Sequence, residues 1–204
     1  MSTDSYDFNV FVNCPFDNEY FPLRSALVFA IFDCGFVPRC ALEEDDGGYV
    51  RLDKILDIIL ESKYGIHDIS RVEVDSATGF PRFNMAFELG LFIGACRFGS
   101  KNDRMKKSLI LDSERYRYRA FISDIAGCDI HEHNNQIEEV IRQTRNWLSS
   151  SDPGNRRPGG NRMLKRYETF SGDLPSVCEG LGIDIDELTY NDYCGIVSDW
   201  LRSH

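Results

Sequence analysis

No stretch of this chain approaches the roughly 20 consecutive apolar residues that a membrane-spanning helix requires, so no membrane span is expected. The N-terminal MSTDSYDFNV has no basic start and no long apolar core, which argues against a signal peptide. Basic residues are in deficit: 23 Lys and Arg stand against 33 Asp and Glu, a net charge of −10. Broad binding to nucleic acid, which needs a cationic surface, is therefore not expected. The cysteines lack paired spacing and number seven, an odd count. Reduced, core-packed thiols and a cytoplasmic compartment fit that pattern. Familiar catalytic signatures are missing as well. The chain contains no G-x-G-x-x-G, no Walker loop, no G-x-S-x-G and no H-E-x-x-H. A dinucleotide oxidoreductase and a Ser-His-Asp hydrolase therefore have no support.

What is present is an ordinary globular composition, 42% hydrophobic and 27% charged over 204 residues. That length suffices for one good core plus an appendage. Phe8 to Asn13 reads as a first strand, and Tyr20 to Asp33 as a helix stopped by Gly35. Phe36 to Leu42 reads as a second strand, with Pro38 pointing to an edge position. Leu52, Ile55, Leu56, Ile59 and Leu60 recur at helical spacing. Tyr64 to Ile69 is a third strand, 70–81 a loop, and Arg82 to Arg97 a helix. Ser108 to Leu111 is a short fourth strand, and Tyr116 to Ile125 is expected to be helical. Cys128 to His131 suggests a fifth strand, followed by a helix that carries Ile137, Val140, Ile141, Trp147 and Leu148 on one face.

Five alternations of strand and helix predict an α/β fold. Its sheet should be five-stranded and mostly parallel, with helices on both faces and right-handed crossovers. Residues 149–160, rich in Ser, Pro, Gly and Asn, read as a linker. Beyond it, Met163 to Phe170, Leu174 to Leu181 and Asp192 to Leu201 read as two or three short helices. This division places an α/β domain over 1–150 and a linker with a helical tail over 151–204. So short a tail is not expected to be stable alone, and should pack on the sheet domain or on a partner.

The chemistry concentrates in two places. His67-Asp68-Ile69-Ser70 ends an apolar run in an acid and a hydroxyl, and Asn84-Met85-Ala86-Phe87-Glu88-Leu89-Gly90 opens a helix bearing one carboxylate among apolar neighbours. In open α/β sheets the carboxyl ends of the strands bind ligands. Asn13, Pro15 and Phe16 form the first strand-to-helix turn there, with Phe16 suited either to stack on a base or to fill core. Arg39 and Glu43 end the second strand and Arg51 begins a helix, all in reach of phosphate or ribose. Arg71 is suited to grip phosphate or to pair with Glu73 or Asp75. Glu88 is either a ligand-facing acid or a helix-start acid favoured by the dipole or paired with Arg82. Asp68 is either a ligand group or a turn acid bonding local backbone. His131 and His133, with Cys128 nearby, lack a clear third ligand and make a poor zinc site. Tyr116-Arg117-Tyr118-Arg119 mixes aromatics and bases as single-strand binders do, but in so acidic a chain it suits a partner or internal contact better.

Four of these pieces, in order, resemble nucleoside 2-deoxyribosyltransferase-like proteins. They are Asn13-Cys14-Pro15-Phe16-Asp17, the helix opened by Arg51-Leu52-Asp53-Lys54-Ile55, His67-Asp68-Ile69-Ser70, and the Asn84 to Gly90 helix start. The similarity spans about residues 8–150, and the fold relatives of that family include TIR domains, many of which cleave NAD. The long loop before Asn84 and the helical tail depart from the family's simplest members. The resemblance implies a TIR-like, flavodoxin-like sheet and an N-glycosidase or ribosyltransferase acting on NAD, a nucleotide or a nucleoside. It implies Glu88 as nucleophile or cation stabiliser and Asp68 as its companion. Asn13, Pro15, Phe16, Arg39, Ser70, Arg71 and Asn84 would surround the ligand. No metal and no cofactor is required. A role in bacterial antiviral defence, controlled by homo-oligomerisation or by a partner, is part of the same implication. A module that senses a nucleotide without chemistry, or a structural adaptor, would use the same fold.

Overall fold

Strand β1 (Asn9–Asn13) is buried at every position, as is β3 (Tyr64–Asp68). Continuous burial is what a parallel sheet covered on both faces demands, since neither side of a central strand meets water. In this computed structural model, which describes residues 5–72, 74 and 79–204, the two are joined by β2 (Val37–Arg39), β4 (Lys107–Asp112) and β5 (Ile130–Glu132). All five strands run parallel in the order β2-β1-β3-β4-β5. Pro38 sits on an edge strand, where its missing N–H costs no ladder bond.

Helix α1 (Phe21–Asp33) and helix α4 (Ile137–Ser151) share one apolar cluster on one face of the sheet. Helix α2 (Arg51–Leu60) and helix α3 (Asn84–Phe98) cover the other, where Ile55, Ile58 and Ile59 meet Phe11 and Phe92. Gly65 lets α3 approach β3 closely: a Cβ there would lie 2.7 Å from His67 Nε2 and 2.8 Å from the Phe92 ring.

The segment between β4 and β5 differs from the helix expected over Tyr116 to Ile125. Among the described residues it holds two 3-10 turns, Arg117–Ala120 and Ser123–Ile125. Tyr116 adopts a left-handed conformation at φ 62°, which prevents a helix from starting there. Tyr118 and Ile125 then drop into a cluster with Met85 and Leu89 of α3.

The tail is also more regular than expected. One helix, α5 (Gly160–Leu181), runs through Pro175, and α6 (Tyr190–Ser203) follows. Met163, Tyr167, Phe170, Leu174 and Cys178 of α5 are buried at helical spacing. That burial outweighs the roughly 3 kcal/mol that an interior proline costs a helix. Phe29 of α1 lies against Tyr167, Phe170 and Trp200, with ring centroids 5.4, 5.3 and 6.0 Å away. With sheet on one side and α4, α5 and α6 around it, α1 is buried from Ser25 to Ile31 without a break. An enclosed helix is apolar all round. Among the described residues no helix is long and apolar enough to cross a membrane.

Candidate functional site

The strand order turns back between β1 and β3: the chain leaves β1 for β2 on one side and returns to β3 on the other. Such a switch point opens a crevice at the carboxyl ends of the strands. A cleft of about 450 Å³ lies there, walled by the β1–α1 turn (Asn13, Cys14, Pro15, Phe16, Asp17) and by Asn84, Met85 and Glu88 of α3. Arg51, Arg71 and Arg82 complete its lining.

Glu88 is the fifth residue of α3 and only 6% exposed. Its carboxyl has no hydrogen-bond partner among the described residues. Burial raises its pKa from 4.5 to about 7, against a smaller opposing pull from Arg51. The acid is thus held half-protonated near neutrality, poorly hydrated, on the wall of a cleft. The pairing with Arg82 that a surface acid would make is not formed. Phe16 stands at the mouth with two guanidinium groups over its ring, Arg24 at 5.7 Å and Arg51 at 6.0 Å. Arg71 reaches Glu19 at 2.8 Å and Asp17 at 3.4 Å. Glu73 and Asp75, its other expected partners, lie outside the described residues.

Asn13 works as a brace. Its Nδ2 donates to the Met85 carbonyl at 2.8 Å and lies 3.1 Å from His67 Nδ1, tying β1 and β3 to the first turn of α3. His67 is fully buried, and burial lowers its pKa to about 3, so it is neutral. With Nδ1 accepting from Asn13, its proton sits on Nε2, which has no partner among the described residues.

Asp68 does not line this cleft. Successive side chains of a strand point to opposite faces. Gly65 and His67 face α3, so Asp68 faces α1 and α4. There its carboxylate is fully buried and accepts from the Tyr20 hydroxyl and, at 2.8 Å, from the Ser70 amide. His133 Nε2 lies 3.0 Å away, at ion-pair distance without the alignment of a hydrogen bond. Burial pushes the Asp68 carboxyl up, but His133, Ser70 and Tyr20 together outweigh it and hold it below the ordinary value. Ser70 likewise faces a different cavity, of about 340 Å³, beside Tyr20, Ser113 and Asn135. Arg71 lines both. Arg39 is committed elsewhere: its guanidinium meets Glu43 at 2.6 Å and Glu61 at 3.2 Å. Of the expected site, then, Glu88, Asn13, Pro15, Phe16, Arg71 and Asn84 come together, while Asp68, Ser70 and Arg39 lie outside the cleft.

Other residues enter that the sequence had not singled out. Tyr20 and Asp112 belong to the buried polar layer, Asp112 through Arg117 at 2.6 Å. His133 is absorbed there rather than beside His131, which bonds Gln143 at 2.9 Å. No group of three or more metal-ligating side chains occurs among the described residues. Comparison with known proteins finds no matching family model, no matching curated protein and no matching solved structure.

Proposed function

We propose that the chain cleaves the N-glycosidic bond of NAD, a nucleotide or a nucleoside in the Glu88 cleft. The observation that carries this reading is the desolvated Glu88 carboxyl on a wall shared with three arginines. Breaking the bond from C1′ to the base nitrogen sends its electron pair to the base and leaves positive charge on the sugar carbon. A carboxylate against that carbon either stabilises the cation or closes on it as an ester. Water then supplies the oxygen that completes hydrolysis. Low hydration strengthens the attraction at the moment charge develops. Arg51, Arg71 and Arg82 supply charge for a phosphate group, and Phe16 a face for the base.

Among the described residues, with Asp68 turned away and Asp17 engaged by Arg71 and by the Tyr20 amide at 2.9 Å, no second acid is left poised to protonate a leaving group. This favours a base that departs neutral without a proton, as a pyridinium does. The same feature supports the second reading, a site that binds a nucleotide without chemistry.

The two readings separate in one assay. Purified protein is incubated with NAD, NADP, ATP and deoxynucleosides, and released base is followed by chromatography alongside a measurement of particle size. Catalysis requires base release that falls by about 100-fold or more in Glu88→Gln. Saturable binding with no release, in both proteins and in every assembly state, supports the sensor.

A further inference from the structure

We propose that Arg24 and Ser25 of α1, with the first turn of α6, form a second site that takes a phosphate group. Arg24 is a cation without an anion. Among the described residues it makes no ion pair, and its Nη1 is buried with no hydrogen-bond partner. Its guanidinium lies over two aromatic rings, Phe16 at 5.7 Å and Phe21 at 5.3 Å. Arg24 as a whole is half-buried, but a buried polar atom left unpaired is expensive. Beside it, Ser25 is 6% exposed, and its Oγ is also buried and unpaired. An interior serine of a helix ordinarily turns its hydroxyl to solvent or to the preceding turn.

Arg24 and Ser25 both line one cavity of about 150 Å³, closed on the far side by Thr189, Tyr190 and Tyr193. The tail is pinned there. Tyr193 donates to the Ser25 carbonyl at 3.0 Å and Tyr190 to the Pro38 carbonyl at 3.2 Å. Thr189 caps α6 by accepting from the Asp192 amide at 3.1 Å. The Tyr190 and Asn191 amides, in the same turn, have no partner among the described residues. A guanidinium fork, a hydroxyl and helix-terminal amides make a donor set suited to phosphate. Among the described residues no carboxylate lines the cavity, and the one in the adjoining turn, Asp192, is engaged by the Thr189 amide at 3.1 Å and hydroxyl at 2.6 Å. Its size excludes a whole nucleotide, since pockets for such ligands run to roughly 300 Å³ and above. It admits one phosphate group, given that a water occupies about 30 Å³. Phe16 lines this cavity and the Glu88 cleft alike, so an anion that draws Arg24 off the ring is felt at the mouth of the cleft.

The test is a titration with inorganic phosphate at constant ionic strength, read by chemical-shift changes of the full chain. Wild type and Arg71→Met, whose substitution lies in the other cleft, should both show saturable shifts in α1 and α6. Arg24→Met, and Arg24→Lys as a second variant that keeps charge but loses the fork, should bind about tenfold or more weakly. Ser25→Ala should weaken binding by a smaller factor. Circular dichroism checks that each variant is folded, and the Ser25→Ala arm decides the matter should both Arg24 variants fail to fold. The proposal is overturned if phosphate does not saturate wild type, if it binds the folded Arg24 variants or Ser25→Ala as tightly as wild type, or if Arg71→Met alone abolishes binding.

Discussion

Glu88 ties activity and stability to the same proton. Its folded pKa stands at about 7 against an ordinary 4.5. The folded state therefore holds a proton that the unfolded chain has already lost. Stability from this group is full below about pH 4.5 and drains away as pH rises through about 7. At about 1.4 kcal/mol for each tenfold change in proton affinity, the loss reaches up to about 3 kcal/mol. Urea titrations of wild type and Glu88→Gln across pH 5 to 8 should show the variant gaining on wild type by that order. Activity runs the opposite way. Only the carboxylate stabilises a sugar cation, so base release should climb as pH rises through about 7 and level off above it. A rate that falls over that range would remove Glu88 from the role assigned to it. Asp68 behaves differently, because its carboxyl is held below the ordinary range. Its contribution to stability is present above its unfolded pKa and is lost as pH falls through the lower folded value. Asp68→Asn takes away the buried carboxylate that the Tyr20 hydroxyl and the Ser70 amide donate to. It should cost roughly 1.5–3 kcal/mol in urea denaturation, the range for hydrogen bonds to a charged group, a loss of fold rather than a specific loss of chemistry.

At the scale of elements, how much could be read from the chain depended on which contacts decide each one. The five strands and four covering helices follow from local patterning, and the sheet order agrees with them. The cleft's two main walls, the Asn13 to Asp17 turn and the start of α3, were legible because each is a short contiguous run. Asp68 was not, because adjacency in sequence is opposition in a strand. One residue separates a side chain under α3 from one under α1. The helix expected over Tyr116 to Ile125 failed for another reason. Its apolar residues Tyr118 and Ile125 serve α3, a partner distant in sequence, and Tyr116 before them is left-handed. The β3–α3 contact offers a direct probe of how the elements hold the site. Gly65→Ala would drive a methyl against His67 and Phe92. Both are fully buried, so the neighbours cannot simply swing away. Overpacking of this kind costs roughly 1–3 kcal/mol. It should also displace α3 and with it Glu88, so substrate turnover should drop by more than the loss of stability predicts. Comparing turnover well below the melting temperature with the urea midpoint checks this.

For the molecule as a whole, the tail decides whether there is one folding unit or two. Composition suggested an appendage, since the linker is rich in Pro and Gly and the segment beyond it is short. What composition could not convey is that α1 has no solvent face from Ser25 to Ile31. Phe29 and the apolar run from Ala26 to Ile31 are sealed on one side by the sheet and on the other by α4, α5 and α6. Polar ties reinforce the seal. Arg157 Nε donates to the Cys34 carbonyl at 3.1 Å, and Arg166 pairs with Asp33 at the end of α1. Removing residues 152–204 would expose a helix that is apolar all round, and an exposed patch of that kind aggregates. The truncated chain should therefore be insoluble or molten, whereas a merely appended tail would leave the 1–151 fragment folded. Trp200→Ala is the finer version of the experiment. It deletes a 6% exposed indole that packs on Phe29 and Phe170, with ring centroids 6.0 and 5.6 Å away, and donates to Asp173 at 2.9 Å. A loss of roughly 3–5 kcal/mol is expected for such a deletion in a core. The denaturation should remain one transition by both far-ultraviolet dichroism and tryptophan fluorescence, Trp147 in α4 reporting in place of Trp200. Two transitions, with the sheet surviving the tail, would show the helices to be a separate unit and α1 to be stable without them.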